Sequence, residues 1–95
     1  MHRRRSNIEI IGDMLRVGAN GSNGNGAGKT EIMYSANMSY SQLQKYLSLL
    51  VSQGFVDRLQ VGNPVVTYRV TEKGSTLLHS IDTILDALEF KSDDF

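Results

Sequence analysis

The chain has 95 residues, 10 basic and 10 acidic side chains, a formal net charge of zero and no cysteine. This length corresponds to one small domain, and the lack of cysteine excludes a disulfide framework, a thiol nucleophile and a cysteine zinc site. The two histidines, His2 and His79, are far apart, so we expect no metal site; because no segment approaches the roughly 20 apolar residues of a membrane span and no signal-peptide pattern leads the chain, we expect a cytoplasmic protein.

The first predicted element is a helix that runs to about Val17. Ser6 and Glu9 form a capping-box pattern at its start. An apolar stripe at helical spacing follows, formed by Ile8, Ile11, Met14 and Leu15. We therefore expect an amphipathic helix that packs against the rest of the domain.

Residues 18–28 form a low-complexity Gly/Asn segment, which predicts a flexible linker that buries almost nothing. The end of this segment, Gly28-Lys29-Thr30, resembles part of a phosphate-binding loop. The Walker A motif needs a glycine five places before Gly28, and Asn23 stands there instead. A helix also precedes the segment where that motif requires a strand, so we expect no nucleotide binding.

Residues 29–54 predict two short helices joined by a tight polar turn. Ser39 and Gln42 make a second capping box, and Gly54 follows the second helix as its C′ residue. The buried face of the second helix is formed by Leu43, Leu47, Leu50 and Val51. Its outer face carries short polar side chains and one cation, namely Ser41, Gln42, Gln44, Lys45 and Ser48. Such side chains suit a helix that enters the major groove of DNA, although polar outer faces are also the rule for ordinary surface helices.

Residues 55–61 and 65–71 are two runs rich in β-branched side chains around Gly62-Asn63-Pro64, which predicts a hairpin. Alternation in the second run lets Tyr68 pack on the helices while Arg69 faces water or phosphate. Three helices followed by a hairpin predict a winged helix-turn-helix, an α+β fold that is mainly α.

A last helix begins after Thr71 and runs to about residue 89 or 90. Its broad apolar stripe consists of Leu77, Leu78, Ile81, Ile84, Leu85 and Leu88. Part of the stripe has the alternating four and three spacing of a coiled coil, and exposed apolar surface of this extent usually marks a contact. We therefore predict a homodimer held by residues 72–90, with residues 91–95 as an acidic tail. The alternative is that the stripe folds back on the domain's own core.

The charge sums to zero but is unevenly distributed. Residues 1–45 have a balance of +3 and residues 46–95 a balance of −3. Because local potential attracts phosphate and total charge does not, this segregation permits a basic DNA face. The alternative is a mixed surface that only promotes solubility.

Three segments resemble those of a known family: residues 9–15 (EIIGDML), 29–56 (KTEIMYSANMSYSQLQKYLSLLVSQGFV) and 68–78 (YRVTEKGSTLL). The chain is similar to the archaeal winged-helix proteins that include the small, ten-kilodalton chromatin-type DNA-binding proteins of Sulfolobus. The most specific parts are the turn ANMSY at 36–40 and the helix opening TEKG at 71–74. The resemblance implies a DNA binder that dimerises through an antiparallel pairing of its C-terminal helices.

These patterns together predict a DNA-binding protein without enzymatic activity or cofactor, either a transcriptional regulator or a chromatin-associated protein, with residues 1–71 as the winged domain. The predicted major-groove contacts are Ser41, Gln42, Gln44, Lys45 and Ser48. The predicted contacts to phosphates or a minor groove are Lys29, Thr30, Arg58, Asn63, Arg69, Arg3, Arg4 and Arg5. The three tail arginines can equally be a disordered extension. The alternative from another class is a protein-interaction module with the same fold and no DNA binding.

Overall fold

The computed structural model describes residues 6–21 and 25–92, with side chains up to residue 88. The elements in chain order are α1 (Asn7–Ala19), α2 (Lys29–Ser35), α3 (Tyr40–Ser52), β1 (Val56–Gln60), β2 (Val66–Val70) and α4 (Glu72–Ser92). The two strands form an antiparallel sheet, with Val56 opposite Val70 and Gln60 opposite Val66. The fold is the predicted winged helix-turn-helix, in which the strand pair is the wing.

Capping boxes fix the starts of α1 and α3 where the sequence predicted them. Ser6 Oγ accepts from the N–H of Glu9 at 3.2 Å, and Glu9 Oε1 accepts from the N–H of Ser6 at 2.9 Å. The same exchange joins Ser39 and Gln42, at 3.2 and 3.1 Å. Each exchange satisfies two N–H groups that a helix start leaves without an intrahelical partner, so both boundaries are locally determined.

A residue with positive φ ends each helix of the helix-turn-helix. Asn37, between α2 and α3, has a φ of 54°, and the N–H of the following Met38 donates to the carbonyl of Met33 at 2.9 Å. Gly54, with a φ of 80°, follows α3 and is the predicted C′ residue. Glycine and asparagine are the residues that adopt this conformation most readily, which explains both chain reversals.

The core lies where the helices meet the inner face of the wing. Leu15 and Leu43 are fully enclosed, and Tyr68 of β2 is buried while its neighbour Arg69 is exposed, as the strand alternation predicted. The buried hydrophobic residues of the described chain are Ile10, Met14, Leu15, Ala27, Ile32, Ala36, Met38, Leu43, Tyr46, Leu47, Leu50, Val56, Tyr68 and Ile81. One continuous core therefore supports the helix-turn-helix and the wing together.

The described parts of the segment 18–28, residues 18–21 and 25–28, are more ordered than its composition predicted. Its first two residues belong to α1, and Ala27 is 1% exposed. Ala27 pairs with Tyr68 as an antiparallel bridge, donating to the Tyr68 carbonyl at 3.0 Å and accepting from the Tyr68 N–H at 2.8 Å. The expectation that this segment buries almost nothing is therefore wrong at Ala27.

Gly26 explains how the segment comes so close to β2. Its φ is 82°, and a Cβ at this position would stand 2.5 Å from the carbonyl oxygen of Tyr68. A side chain would both strain the backbone and collide with the strand. The sequence predicted flexibility from such glycines, but Gly26 instead permits a close contact between its backbone and that of Tyr68.

The start of α4 packs against the junction between α3 and β1 and is hydrogen-bonded to it. Thr71 Oγ1 accepts from the N–H of Gly74 at 3.0 Å and donates to the carbonyl of Gly54 at 2.7 Å. A Cβ on Gly74 would lie 2.1 Å from the Phe55 carbonyl oxygen, and Lys73 Nζ lies 4.7 Å from the centre of the Phe55 ring. Within the TEKG segment, Thr71 caps the helix, Lys73 places its cation over the Phe55 ring, and Gly74 allows the close contact with the Phe55 carbonyl.

The apolar stripe of α4 is divided between two environments. Ile81 is 5% exposed and packs on α1, where its Cγ2 would be 3.0 Å from a Cβ on Gly12. Half-buried against the same core are Leu77, Leu78 and Leu85. Ile84 and Leu88, farther along the helix, are 48% and 54% exposed. Most of the stripe, including Leu85 beyond Ile84, folds back on the chain's own core, and Ile84 and Leu88 are its exposed side chains.

Candidate nucleic-acid interface

The outer face of α3 brings four predicted contact residues to one surface. Ser41, Gln44, Lys45 and Ser48 are exposed, whereas Leu43, Tyr46, Leu47 and Leu50 on the opposite face are buried. Residues three and four apart lie on the same side of a helix, so the four polar side chains adjoin one another. We call Ser41, Gln44, Lys45 and Ser48 the recognition face.

Gln42, the fifth residue predicted on this helix, is placed differently. It is half-buried, and its Oε1 accepts from the N–H of Ser39 at 3.1 Å. Its oxygen is therefore engaged in capping α3, which sets where the helix starts. A DNA contact by Gln42 stays a prediction.

Packing holds the recognition face in place. Tyr46, on the buried side of α3, donates its hydroxyl to Asn7 Oδ1 at 2.6 Å and so connects α3 to the first turn of α1. Lys45 Nζ lies 5.3 Å from the centre of the Tyr46 ring, a cation–π contact that orients the ammonium group. The hydrogen bond of Tyr46 thus holds the buried side of α3 against α1, and the ring of Tyr46 restricts the position of the Lys45 ammonium group.

A groove of about 330 Å³ separates α3 from the wing. Gln44 and Ser48 of the recognition face line it on one side, and Lys29 at the start of α2 and Arg58 of β1 line it on the other sides. Neither cation pairs with a carboxylate of the described residues. Two unpaired cations beside a hydroxyl and an amide make this groove suitable for a phosphate group.

Arg58 and Arg69 lie on opposite faces of the wing. The strand register sets Arg58 opposite the buried Tyr68 and sets Arg69 opposite Asp57. Because side chains alternate along a strand, Arg58 is on the helix side, where it lines the groove, and Arg69 is on the outer side next to a carboxylate. The structure therefore brings only the first of these two predicted contacts into the groove.

The remaining predicted contacts surround the groove or lie beyond the described residues. Thr30 is exposed beside Lys29 in the first turn of α2, and Asn63 is exposed in the turn of the wing. Arg3, Arg4 and Arg5 lie outside the described residues. The outer wing and its turn are thus regions separate from the groove.

Two side chains that the sequence reasoning omitted adjoin the recognition face. Ser52 lines the groove one helical turn beyond Ser48, and Tyr40, the first residue of α3, is 60% exposed. The spacing of Ser48 and Ser52 was the available signal for Ser52. The aromatic residue next to the capping serine was the signal for Tyr40, since the first residues of a recognition helix are those that reach DNA bases.

Neither a metal-ligand cluster nor a membrane-spanning helix occurs in the part of the chain that the structure describes. Within residues 6–21 and 25–88, no three metal-ligating side chains come together. None of the described helices combines the length and apolar character of a membrane span. The groove beside α3 is where two of the predicted cations, Lys29 and Arg58, come together with polar side chains of α3.

Comparisons with known proteins agree with this geometry. The sequence profile of the winged helix-turn-helix family matches residues 4–89. An uncharacterized protein of Methanocaldococcus jannaschii is 28% identical over 88 residues, which are 93% of this chain and 81% of that protein. The crystal structure of Sso10a-2, a DNA-binding protein from Sulfolobus solfataricus, superposes with a TM-score of 0.80 at 30% identity, covering 95% of this chain and 88% of the other. The resemblance to archaeal winged-helix proteins is confirmed.

Proposed function

The chain belongs to the winged helix-turn-helix family, and we propose that it binds duplex DNA without catalysing a reaction. The groove between α3 and the wing is the observation that carries the proposal, because Lys29 and Arg58 flank it without a carboxylate partner among the described residues. The similarity to a DNA-binding protein along nearly the whole chain supports the same conclusion.

In the proposed complex α3 enters the major groove. Its polar side chains, at positions 41, 44, 45 and 48, meet the base edges, where Gln and Lys pair with purine acceptors and donors and Ser contacts either base type. Lys29 and Arg58 hold the adjacent phosphate strand in the groove beside the helix. Contacts to phosphate fix the position of the protein, and contacts from α3 supply any preference for sequence.

We further propose that the protein acts as a homodimer through the distal part of α4. Ile84 and Leu88 are exposed there, whereas Ile81 is committed to the chain's own core. Pairing would place two recognition faces on one particle and make the second DNA contact intramolecular. Such a dimer suits a cytoplasmic transcriptional regulator or a chromatin-associated protein.

A titration of random and genomic duplexes by fluorescence anisotropy, at two salt concentrations, tests DNA binding. We expect affinity to fall as salt rises, because bound cations release phosphate counterions. Lys29→Ala should weaken binding to all sequences and lower the slope of log affinity against log salt by about 1.

The matched control is Arg16→Ala, which removes one positive charge outside the groove. Arg16 pairs with Asp13 on α1 and with Asp82 on α4, so its loss should leave the salt slope unchanged. If micromolar protein binds no duplex at low salt, the chain is instead a protein-interaction module with the same fold.

A further inference from the structure

A cavity separate from the groove lies between α1 and α2. Its volume is about 460 Å³, which is within the usual size of small-molecule sites. Its lining comes from the second half of α1, from one face of α2 and from the turn after α2, and it shares no residue with the groove beside α3. We call this cavity the α1–α2 cleft. The proposed DNA contacts give it no role.

The side-chain charges of the α1–α2 cleft favour a cation. Asp13 of α1 and Glu31 of α2 place one carboxylate on each wall. Arg16 also lines the cleft, but its guanidinium is already paired with Asp13 and with Asp82 of α4. Glu31 has no ion-pair partner among the described residues. The cleft therefore keeps an excess of negative charge.

The backbone adds negative potential at the same place. Both helices that form the cleft end there, α1 with its cap at Asn20 and α2 with its cap at Ala36. The carbonyl groups of a last helical turn carry a partial negative charge, which favours a nearby cation. The side chains of Asn20 and Ser35 add an amide oxygen and a hydroxyl oxygen that can accept hydrogen bonds.

The apolar part of the lining indicates which kind of cation fits. Val17 of α1 lines the cleft and is partly exposed. A hydrated metal ion gains nothing from apolar surface, and no three metal-ligating side chains come together within the described residues. A short alkyl chain with an ammonium group at each end can pack its methylene groups on Val17 while its ends reach Asp13 and Glu31.

We propose that the α1–α2 cleft binds a small organic diamine, at a site independent of the proposed DNA binding. One ammonium group pairs with Glu31 on α2, the other pairs with Asp13 on α1, and the chain between them lies along Val17. The ligand thereby joins α1 to α2 next to the turn of the helix-turn-helix. Because it binds the folded chain, the fold becomes more stable as the concentration of diamine rises.

An NMR titration of the full chain with 1,4-diaminobutane, at low salt and without DNA, tests the site. We expect saturable shifts of the amide signals of Val17, Asn20 and Ala36 and none at Ser48 in the groove. The dissociation constant should be about 0.1 to 1 mM, as suits a ligand of so few atoms. Butylamine, with a single ammonium group, should bind about fivefold more weakly. Magnesium chloride at equal ionic strength should not reproduce the shifts.

Three variants of the full chain test the contacts. Glu31→Gln keeps the size of an exposed side chain and removes its charge, so 1,4-diaminobutane should bind about fivefold more weakly. Glu72→Gln is the matched control, because it makes the same change at an exposed position of α4 outside the cleft and should leave the dissociation constant unchanged. Ser35→Lys places a tethered ammonium group in the cleft and should weaken binding by about tenfold or more.

Shifts that do not saturate, that magnesium chloride reproduces or that spread along α4 would show a general attraction of cations to acidic surface and would overturn the proposed site. Unchanged affinity of Glu31→Gln, or an equal loss in Glu72→Gln, would overturn it as well. Because the titration contains no DNA, these results do not bear on the proposed function. A failure of the chain to bind duplex DNA would, in turn, leave the diamine site standing.

Discussion

Two arginines of the wing show how one position in a strand decides a side chain's role. Arg58 is on the same face as the buried Tyr68 and lines the groove beside α3, whereas Arg69 is on the outer face opposite Asp57. Both are exposed arginines. A difference in DNA binding between them would therefore report where the DNA lies.

We expect Arg58→Ala to weaken DNA binding by about 1.5 kcal/mol, roughly tenfold, because a charge-assisted contact to phosphate is lost. Arg69→Ala should change affinity by less than about twofold, since its side chain is away from the groove and beside a carboxylate. Anisotropy titrations at one low salt concentration measure both. Equal losses would place the DNA across the tip or the outer face of the wing instead of in the groove.

Gly74, a glycine inside α4, shows that the effect of a residue on stability depends on the atoms packed against it. Glycine normally costs a helix interior about 1 kcal/mol relative to alanine. Gly74, however, is where α4 touches the carbonyl of Phe55, and an added Cβ would stand 2.1 Å from that oxygen.

Gly74→Ala is therefore expected to destabilise the fold, by about 1 to 3 kcal/mol, as overpacking does. Ser75→Ala, at the next and exposed position of the same helix, should change stability by less than about 0.5 kcal/mol. Urea unfolding followed by circular dichroism measures both. A Gly74→Ala variant more stable than wild type would show that the helix start can move away from the α3–β1 junction.

At the scale of elements, a segment outside the hairpin pairs with the wing. Ala27 forms a backbone bridge to Tyr68 on the side of β2 away from β1 and is almost completely buried. The Thr67 hydroxyl donates to the carbonyl of Asn25 next to this bridge. The segment before α2 therefore supports β2 and leads directly to Lys29, which ties the position of one groove cation to the wing.

Ala27→Asp is expected to cost about 3 kcal/mol or more, because it buries a carboxylate without a partner. Ala19→Asp makes the same chemical change at an exposed position at the end of α1, where we expect a cost below about 1 kcal/mol from the helix dipole. Thermal unfolding of the two variants is the comparison. If the two variants unfold at similar temperatures, the backbone bridge at Ala27 can open without a measurable loss of stability.

Elements with local signals could be predicted from the sequence, and contacts between distant elements could not. The capping boxes at Ser6 and Ser39, the positive φ at Gly54 and the hairpin all depend on residues close together in the chain. The recognition face also followed from helical spacing within α3. The bridge at Ala27 depends on a strand far along the chain, and the composition around it indicated only flexibility.

The groove and the division of α4 escaped prediction for the same reason. The groove needs side chains from α2, α3 and β1, which only the packed core brings together. The stripe of α4 is apolar along its length, so periodicity does not tell which part meets the chain's own core. Gly12 contributes to it, because a Cβ on this residue of α1 would stand 3.0 Å from Ile81 Cγ2 and its absence leaves room for Ile81.

At the scale of the whole molecule, α4 carries both side chains of the core and exposed apolar side chains. Its first part packs on α1, and an ion pair between Arg16 and Asp82 joins the two helices at the surface. Beyond that ion pair, Ile84 and Leu88 are exposed on the same helix. Since Ile81 is buried and Ile84 and Leu88 are exposed, substitutions on this one helix can separate an effect on folding from an effect on the proposed dimer.

Ile84→Asp combined with Leu88→Asp should give a folded monomer, because the introduced carboxylates disfavour apolar pairing and the two side chains are about half exposed. DNA binding should weaken with the loss of the second contact. Ile81→Asp should instead unfold the chain, because it places a charge in the core. Sedimentation equilibrium at tens of micromolar, together with circular dichroism, distinguishes these results. A wild-type protein that sediments as a monomer at this concentration would show that the distal part of α4 does not hold a dimer, and single recognition faces would then have to bind DNA alone.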